Sequence, residues 1–208
     1  MPSVYNLKPA FQSCLRPAAR WLARHSITAN EVTVAAVMIS SIQGAFIVWQ
    51  PAVAWPLILM PVTLFIRLSL NAIDGILARE HGLASNLGVV LNEFGDLASD
   101  MMLYLPLALV PEVSTPLLVV VVCLALVSEA MGLVALQISG ARGNEGPMGK
   151  SDRAVLFGAL AFALGLGVAS QAWSTGLLIL TMMLLIATIA NRAGSALRRA
   201  KRTRKNCI

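Results

Sequence analysis

Acidic and amide side chains recur at helical spacing in two neighbouring stretches of the chain. In the first stretch, Asn71 and Asp74 lie three residues apart and share one helical face. The second stretch places four such side chains within an arc of about 100°: Asn92, Glu93, Asp96 and Asp100. Oxygen ligands of these types suit a hard divalent cation that substrate phosphates complete. The pattern predicts a site for Mg²⁺ or Mn²⁺ with these six residues as metal ligands.

Charged groups inside apolar segments are costly, and by default they indicate a functional site. As an alternative, a single aspartate could pair with Arg67, one turn before Asn71, and serve helix packing alone. Several carboxylates on facing stripes favour the metal site, because converging carboxylates repel one another unless a positive charge lies between them. We therefore expect two antiparallel neighbouring helices whose polar faces meet.

The composition indicates that a bilayer surrounds these helices. Of the 208 residues, 57% are hydrophobic and 12% are charged, whereas soluble domains contain about 25% charged residues. Long apolar runs without alternation favour helices over barrel strands. The predicted fold class is all-α, an integral membrane bundle of six transmembrane helices preceded by an N-terminal interfacial amphipathic helix. The predicted spans are 32–49, 54–70, 87–110, 116–138, 154–169 and 175–190.

The placement of Lys and Arg predicts the orientation and the regions of the protein. Nearly all basic residues fall in the N-terminal segment, the C-terminal tail and two connecting loops. Because short cytoplasmic loops are enriched in Lys and Arg, we expect both termini in the cytoplasm. Residues 1–30 are predicted as the amphipathic interfacial segment, 31–191 as the six-helix domain and 192–208 as a basic cytoplasmic tail. The tail suits anionic lipid next to the membrane better than nucleic acid.

The loop before the predicted fifth span is the candidate acceptor site. It combines a glycine-rich turn with three basic residues: Arg142, Lys150 and Arg153. Basic side chains beside a helix N-terminus favour an anion, so an acceptor that bears phosphate, such as glycerol 3-phosphate, would suit it. Alternatively, these residues enforce the orientation of the loop and bind nothing.

The acidic stretches resemble the signature of the CDP-alcohol phosphotransferase family. The family pattern is D-x2-D-G-x2-A-R-x8-G-x3-D-x3-D, and this chain reads N-x2-D-G-x2-A-R-x8-G-x3-N-x3-D from Asn71 to Asp96. Asn71 and Asn92 replace the first and third aspartates, and every other fixed position matches. The chain looks most like a bacterial inner-membrane branch that carries this Asn pattern.

The resemblance implies a transferase of phospholipid biosynthesis. Such enzymes move a phosphatidyl or related group from a CDP-linked lipid donor, such as CDP-diacylglycerol, to a small alcohol or phospho-alcohol and release CMP. Asp74 and Asp96 would be the principal metal ligands, with Asn71 and Asn92 auxiliary. Asp96 also matches the family's general base, which makes it the predicted catalytic residue. The residues implied to bind the nucleotide are Gly75, Ala78, Arg79 and Gly88.

The resemblance also implies a multi-pass homodimer in the inner membrane, in contact with membrane lipids. Two other functions stay open. Asn brings no charge to a metal site, so the chain could be a catalytically degenerate relative that binds lipid or nucleotide without turnover. It could also be an ion-coupled transporter that uses the carboxylates as an ion path, although the sequence shows no internal repeat.

Overall fold

The computed structural model describes the backbone of residues 8–206 and the side chains of residues 10–201. Over that part of the chain, the elements are seven α-helices and one 3₁₀ helix, as expected for an all-α fold. They are α1 (Lys8–Arg24), α2 (Ala29–Trp49), α3 (Ala54–Glu80), α4 (Asn86–Tyr104), the 3₁₀ helix η1 (Leu105–Leu109), α5 (Thr115–Ser139), α6 (Lys150–Gly165) and α7 (Gln171–Asn206).

Side-chain caps fix the first residues of α2 and α4. At the start of α2, the Thr28 N–H donates to Glu31 Oε2 at 2.7 Å and the Glu31 N–H donates to Thr28 Oγ1 at 3.3 Å, which forms a capping box. At the start of α4, Ser85 Oγ accepts the Gly88 N–H at 2.9 Å. These caps set the helical register and therefore the direction in which each later side chain points.

Three helix ends differ by more than four residues from those that the apolar pattern predicts. α3 continues through Glu80, beyond residue 70, so the whole 71–79 motif is helical. After Tyr104 the chain changes from α4 to the 3₁₀ helix η1 instead of continuing as α-helix to residue 110, because Pro106 lacks a backbone N–H. α7 runs to Asn206, so most of the segment predicted as a tail continues the last helix.

Four of the described helices are long and apolar enough to cross a membrane: α2, α3, α5 and α7. α4 carries several acidic residues in its sequence. α6 has 16 residues, which extend about 24 Å against a hydrocarbon core of about 30 Å. The membrane-spanning character of the bundle is therefore supported, whereas the count of six spans and the cytoplasmic termini stay predictions.

α1 lies against α3. Phe11 meets Phe65 edge to face with ring centroids 6.0 Å apart, and Arg16 Nη2 lies 3.1 Å from Glu80 Oε1. The placement of this N-terminal helix in the membrane interface stays a prediction. Residues 1–7 of the predicted N-terminal segment and residues 207–208 of the predicted tail lie outside the described residues.

α2 supports both helices that carry the acidic residues. It packs against α3 and α4, while α3 also packs against α6 and α5 packs against α7. Gly44 allows α2 to approach α4 closely, since a Cβ at this position would lie 1.9 Å from the Met102 carbonyl oxygen. α3 and α4 are thus positioned by a common neighbour.

We expect Gly44→Ala to destabilise the protein, because the added methyl group would overlap the backbone of α4. Overpacking of this kind costs about 1–3 kcal/mol, which thermal unfolding in detergent measures. Gly176→Ala on α7 is the matched control, since nothing lies within 4 Å of a Cβ at that position. Equal losses in the two variants would contradict the close approach of α2 and α4.

Candidate active site

Polar side chains join α3 to α4. Asn71 Nδ2 donates to Asp96 Oδ1 at 2.8 Å, and Arg67 Nη2 donates to the Asp96 carbonyl oxygen at 2.9 Å. Arg67 Nη1 also donates to Asp100 Oδ1. The polar faces of α3 and α4 therefore meet. Arg67 contacts two successive turns of α4, the one that carries Asp96 and the one that carries Asp100.

Asp74 lies on the same face of α3 and is buried, with 5% of its surface exposed. Its Oδ2 accepts a hydrogen bond from Thr33 Oγ1 on α2 at 2.8 Å. Asp74 is also close enough to Asp96 and Lys150 for electrostatic interaction. Sequence reasoning missed Thr33, because a Thr inside an apolar helix usually bonds to a carbonyl of its own helix, as Thr33 also does with Ala29.

Basic side chains surround Asp96 and Asp100. The Lys150 ammonium forms an ion pair with Asp96, and Arg67 Nη2 lies 3.8 Å from the same carboxylate. Arg153 Nη2 donates to Asp100 Oδ2 at 2.9 Å, so each oxygen of Asp100 contacts an arginine. The Asp96 side chain is 20% exposed and that of Asp100 is 4% exposed. Of these two, Asp96 is the carboxylate that a ligand can reach.

Glu129 on α5 lies among three arginines. Its Oε1 accepts from Arg153 Nη2 at 3.0 Å and lies 3.7 Å from Arg192 Nη1, and its Oε2 accepts from Arg142 Nη2 at 3.4 Å. Arg142 also donates to both carboxylate oxygens of Glu93. Glu129 and Arg192 were not among the predicted site residues, because a single charged residue near an apolar run gives no indication of its partner.

Arg142 lies in the loop between α5 and α6, outside the membrane-spanning segments. Burial lowers the pKa of its guanidinium, but hydrogen bonds and charge pairing with Glu93 outweigh burial and raise that pKa above its usual value. Arg142 is therefore a permanent positive charge at physiological pH.

The loop that carries Arg142 is held against α7. Gly146 has a φ of 132°, which favours glycine, and a Cβ there would lie 2.6 Å from Thr188 Cγ2. The Met148 N–H donates to Thr188 Oγ1 at 3.0 Å. These contacts fix the approach of the chain to α6 and so position Lys150 at its first turn.

The contacts described above revise two expectations from the sequence. We expected a divalent cation to balance the converging carboxylates, but basic side chains of the protein contact all of them except Asp74. We also expected Arg142, Lys150 and Arg153 to be available to an anionic acceptor, whereas each contacts at least one carboxylate. Sequence spacing locates a basic residue on its own helix or loop and does not identify its partner on another.

The donor set around Asp74 and Asp96 fits a divalent cation that a substrate completes. Mg²⁺ is usually held by one or two carboxylates together with substrate phosphates and water. Asn71 and Asn92 add neutral amide oxygens, and the side chain of Asn92, one turn before Asp96 on α4, makes no hydrogen bond within the described residues. Among those residues, no group of three His, Cys, Asp or Glu side chains is placed to hold a metal. The chemistry of this donor set is therefore what supports the metal assignment.

The residues predicted to bind a nucleotide lie at the end of α3 and the start of α4. The Arg79 guanidinium folds back over Gly75, where a Cβ would lie 2.8 Å from Arg79 Nη2. Arg79 is exposed and forms no ion pair within residues 10–201, and Ala78 beside it is partly buried. Gly88 makes room for α2, because a Cβ there would lie 2.6 Å from Asn30 Oδ1. Arg79 is therefore a cation that is available to a ligand.

The site belongs to a recognised class of membrane protein. The family model described as CDP-alcohol phosphatidyltransferase matches residues 26–190, and the chain belongs to this family. The family resemblance expected from the signature is thereby confirmed. The chain is similar to the inner membrane protein YnbA of Escherichia coli (strain K12), with 41% identity over 197 residues that cover 94% of this chain and 96% of YnbA.

Two solved structures share the fold. The crystal structure of Mycobacterium tuberculosis phosphatidylinositol phosphate synthase (PgsA1) in complex with manganese and citrate has a TM-score of 0.72 and 19% identity, with 88% of each chain covered. The structure of PgsA1 with CDP-DAG bound has a TM-score of 0.68 and 20% identity, and the match covers 89% of this chain and 92% of that chain. At these identities the likeness establishes the fold.

We expect Arg67→Leu to destabilise the protein strongly, because it leaves Asp100 with one of its two arginines and removes the buried ion pair between α3 and α4. Breaking a buried ion pair costs about 3–5 kcal/mol. Arg16→Leu is the control, since its pair with Glu80 is about half exposed and such pairs contribute about 0–1 kcal/mol. Denaturation in mixed micelles measures both variants, and similar losses would contradict the structural role of Arg67.

Proposed function

We propose that this protein transfers a phosphatidyl group from CDP-diacylglycerol to the hydroxyl group of a small alcohol and releases CMP. The observation that carries this proposal is the contact between Asn71 and Asp96, which brings the two halves of the family signature to one site. Family membership and the relative with CDP-DAG bound support a CDP-linked lipid donor. A lipid donor also suits the apolar helices around the site, since its acyl chains remain in the bilayer.

The proposed setting is the bacterial inner membrane, with both termini cytoplasmic and a homodimer as the assembly. The similarity to an inner membrane protein supports the location. The distribution of Lys and Arg supports the orientation. The proposed organisation has an interfacial segment (1–30), a transferase domain (31–191) and a basic C-terminal region (192–208), and the family match lies largely within the middle region.

We assign a Mg²⁺ or Mn²⁺ ion to Asp74 and Asp96, with the amide oxygens of Asn71 and Asn92 as weaker ligands. The manganese complex of the structural relative supports a divalent ion of this kind. When bound, the cation neutralises the charge of the donor's diphosphate. Without it, the two carboxylates would repel the negatively charged donor.

Glu93 and Asp100, which the sequence also suggested as metal ligands, have different contacts. Both oxygens of Glu93 accept from Arg142, and the oxygens of Asp100 accept from Arg67 and Arg153. We therefore assign Glu93 and Asp100 to positioning arginines beside the site.

Asp96 is the residue that we assign to accept the proton of the acceptor hydroxyl, since its side chain is accessible. As the proton moves to Asp96, the hydroxyl oxygen bonds to the phosphorus that carries diacylglycerol, and the bond from this phosphorus to the bridging oxygen breaks. The electron pair of the broken bond stays with the phosphate of CMP. Arg79 offers a fork of N–H donors to that phosphate, while Thr33 and Asn71 hold the two aspartates in place.

Asp74→Asn and Asp96→Asn should each abolish CMP release from CDP-diacylglycerol, because each removes a carboxylate that the reaction needs. The measurement uses purified protein with Mn²⁺ and a pool of alcohols, with the lipid products identified by mass spectrometry. Glu112→Gln, in an exposed loop between η1 and α5, is the matched loss of charge. Wild-type rates in both aspartate variants would rule out the assignment.

A catalytically degenerate relative is the second candidate, and Asn71 and Asn92 favour it. Such a protein would bind CDP-diacylglycerol without turning over any alcohol. Equilibrium binding of the donor, measured alongside CMP release, separates the two functions.

Asn92→Asp should tighten Mn²⁺ binding by about tenfold, because it adds a negative charge close to Asp96 in a partly buried site. Isothermal titration calorimetry of the detergent-solubilised protein measures this affinity. Asn144→Asp, at an exposed position in the loop before α6, adds the same charge at a residue outside the proposed ligand set and should leave the affinity unchanged. Equal affinities in wild type and Asn92→Asp would place the metal elsewhere.

A further inference from the structure

The charged groups of the site form one network with equal numbers of basic and acidic members. The basic members are Arg67, Arg142, Lys150, Arg153 and Arg192, and the acidic members are Asp74, Glu93, Asp96, Asp100 and Glu129. Ion pairs connect all of them except Asp74, which is coupled electrostatically to Asp96 and Lys150. The protein thus neutralises this region with its own side chains.

Glu129 neutralises the arginines beside α5. It contacts Arg142, Arg153 and Arg192, and its side chain is 14% exposed. A phosphate group could take over these arginines by displacing Glu129. That exchange would leave a carboxylate unpaired inside an apolar bundle, which is strongly unfavourable.

Charge balance also limits what the filled site accepts. A divalent cation brings two positive charges and the donor's diphosphate brings two negative charges, so together they leave the network balanced. Arg79 lies outside the network and is assigned to the phosphate of CMP, so it is not counted as a partner for the acceptor. A phosphate group on the acceptor would add a further charge of about −1.5 to −2. Each basic member of the network already contacts a carboxylate, so this extra charge would have no counter-ion there.

We infer that the acceptor is an alcohol without a phosphate group and without net negative charge, and that Glu129 is the residue that determines this specificity. The inference rests on the transfer reaction proposed above. It changes the acceptor class expected from the sequence, where the same basic residues suggested a phosphate-bearing alcohol.

The network still offers hydrogen bonds to a polyol or an amino alcohol. Nε and Nη1 of Arg153 and Nε of Arg192 are buried N–H groups without a partner among the described residues. A hydroxyl oxygen accepts from such a donor without adding charge. Both arginines share Glu129 as a partner, but their side chains are 0% and 5% exposed. Arg142, which is 33% exposed, is therefore the partner of Glu129 that an alcohol could meet directly without disrupting the ion pairs.

The test gives the purified full-length protein CDP-diacylglycerol, Mn²⁺ and two competing acceptors at equal concentration. One pair is glycerol and glycerol 3-phosphate, and another is inositol and inositol phosphate. Mass spectrometry measures the ratio of the two lipid products. We expect the wild type to favour the unphosphorylated member of each pair by about tenfold or more, because an uncompensated charge in a partly buried site is costly.

Glu129→Gln removes the negative charge and keeps the shape of the side chain. We expect it to shift the product ratio towards the phosphorylated acceptor by about tenfold. Glu112→Gln is the matched control, since it removes an exposed carboxylate in the loop between η1 and α5, outside the network. The product ratio of this control should equal that of the wild type.

Thermal unfolding in detergent shows whether Glu129→Gln is folded. A second variant keeps the test valid if Glu129→Gln misfolds. Glu93→Gln releases the partly exposed Arg142 and should shift the ratio in the same direction. A wild-type preference for phosphorylated acceptors overturns the inference. The inference also fails if both variants fold and neither changes the ratio of the two lipid products. Both of these results leave the proposed transfer reaction intact. Failure of every alcohol to yield CMP overturns the proposed function instead.

Discussion

Arg153 connects three helices through one buried guanidinium. It extends from α6 to Asp100 on α4 and to Glu129 on α5. An unpaired charge of either sign is costly in an apolar bundle, so each of these groups requires the others. Through Asp100 the same constraint reaches Arg67 on α3. The helices that carry the family signature are therefore held relative to one another by paired charges.

α2 contributes no residue to the signature, yet it supports both halves of the site. Thr33 holds Asp74, and Gly44 allows α2 to contact the backbone of α4. Gly88 leaves space for Asn30 at the start of the same helix. The two glycines let the helix backbones approach closely. The hydrogen bond from Thr33 fixes the direction of the Asp74 carboxylate.

Helical periodicity and apolar runs were enough to predict the order of the helices and the shared faces of Asn71 with Asp74 and of Asn92 with Asp96. Helix ends differed, because hydropathy is insensitive to a proline such as Pro106 or to a polar final turn such as that of α3. The partners of Glu129 depend on how α5, α6 and α7 pack. Such contacts join residues that are far apart in sequence, and no local pattern reveals them.

α7 is one continuous helix of 36 residues. Its length is about 54 Å, whereas the hydrocarbon core is about 30 Å thick. A helix of this length that crosses the membrane extends beyond the lipid as a stiff rod, which here is continuous with the turn that carries Arg192. A reporter domain fused to this rod would keep a defined height above the bilayer. A load applied to the rod would reach the turn beside Glu129 without passing through a flexible linker.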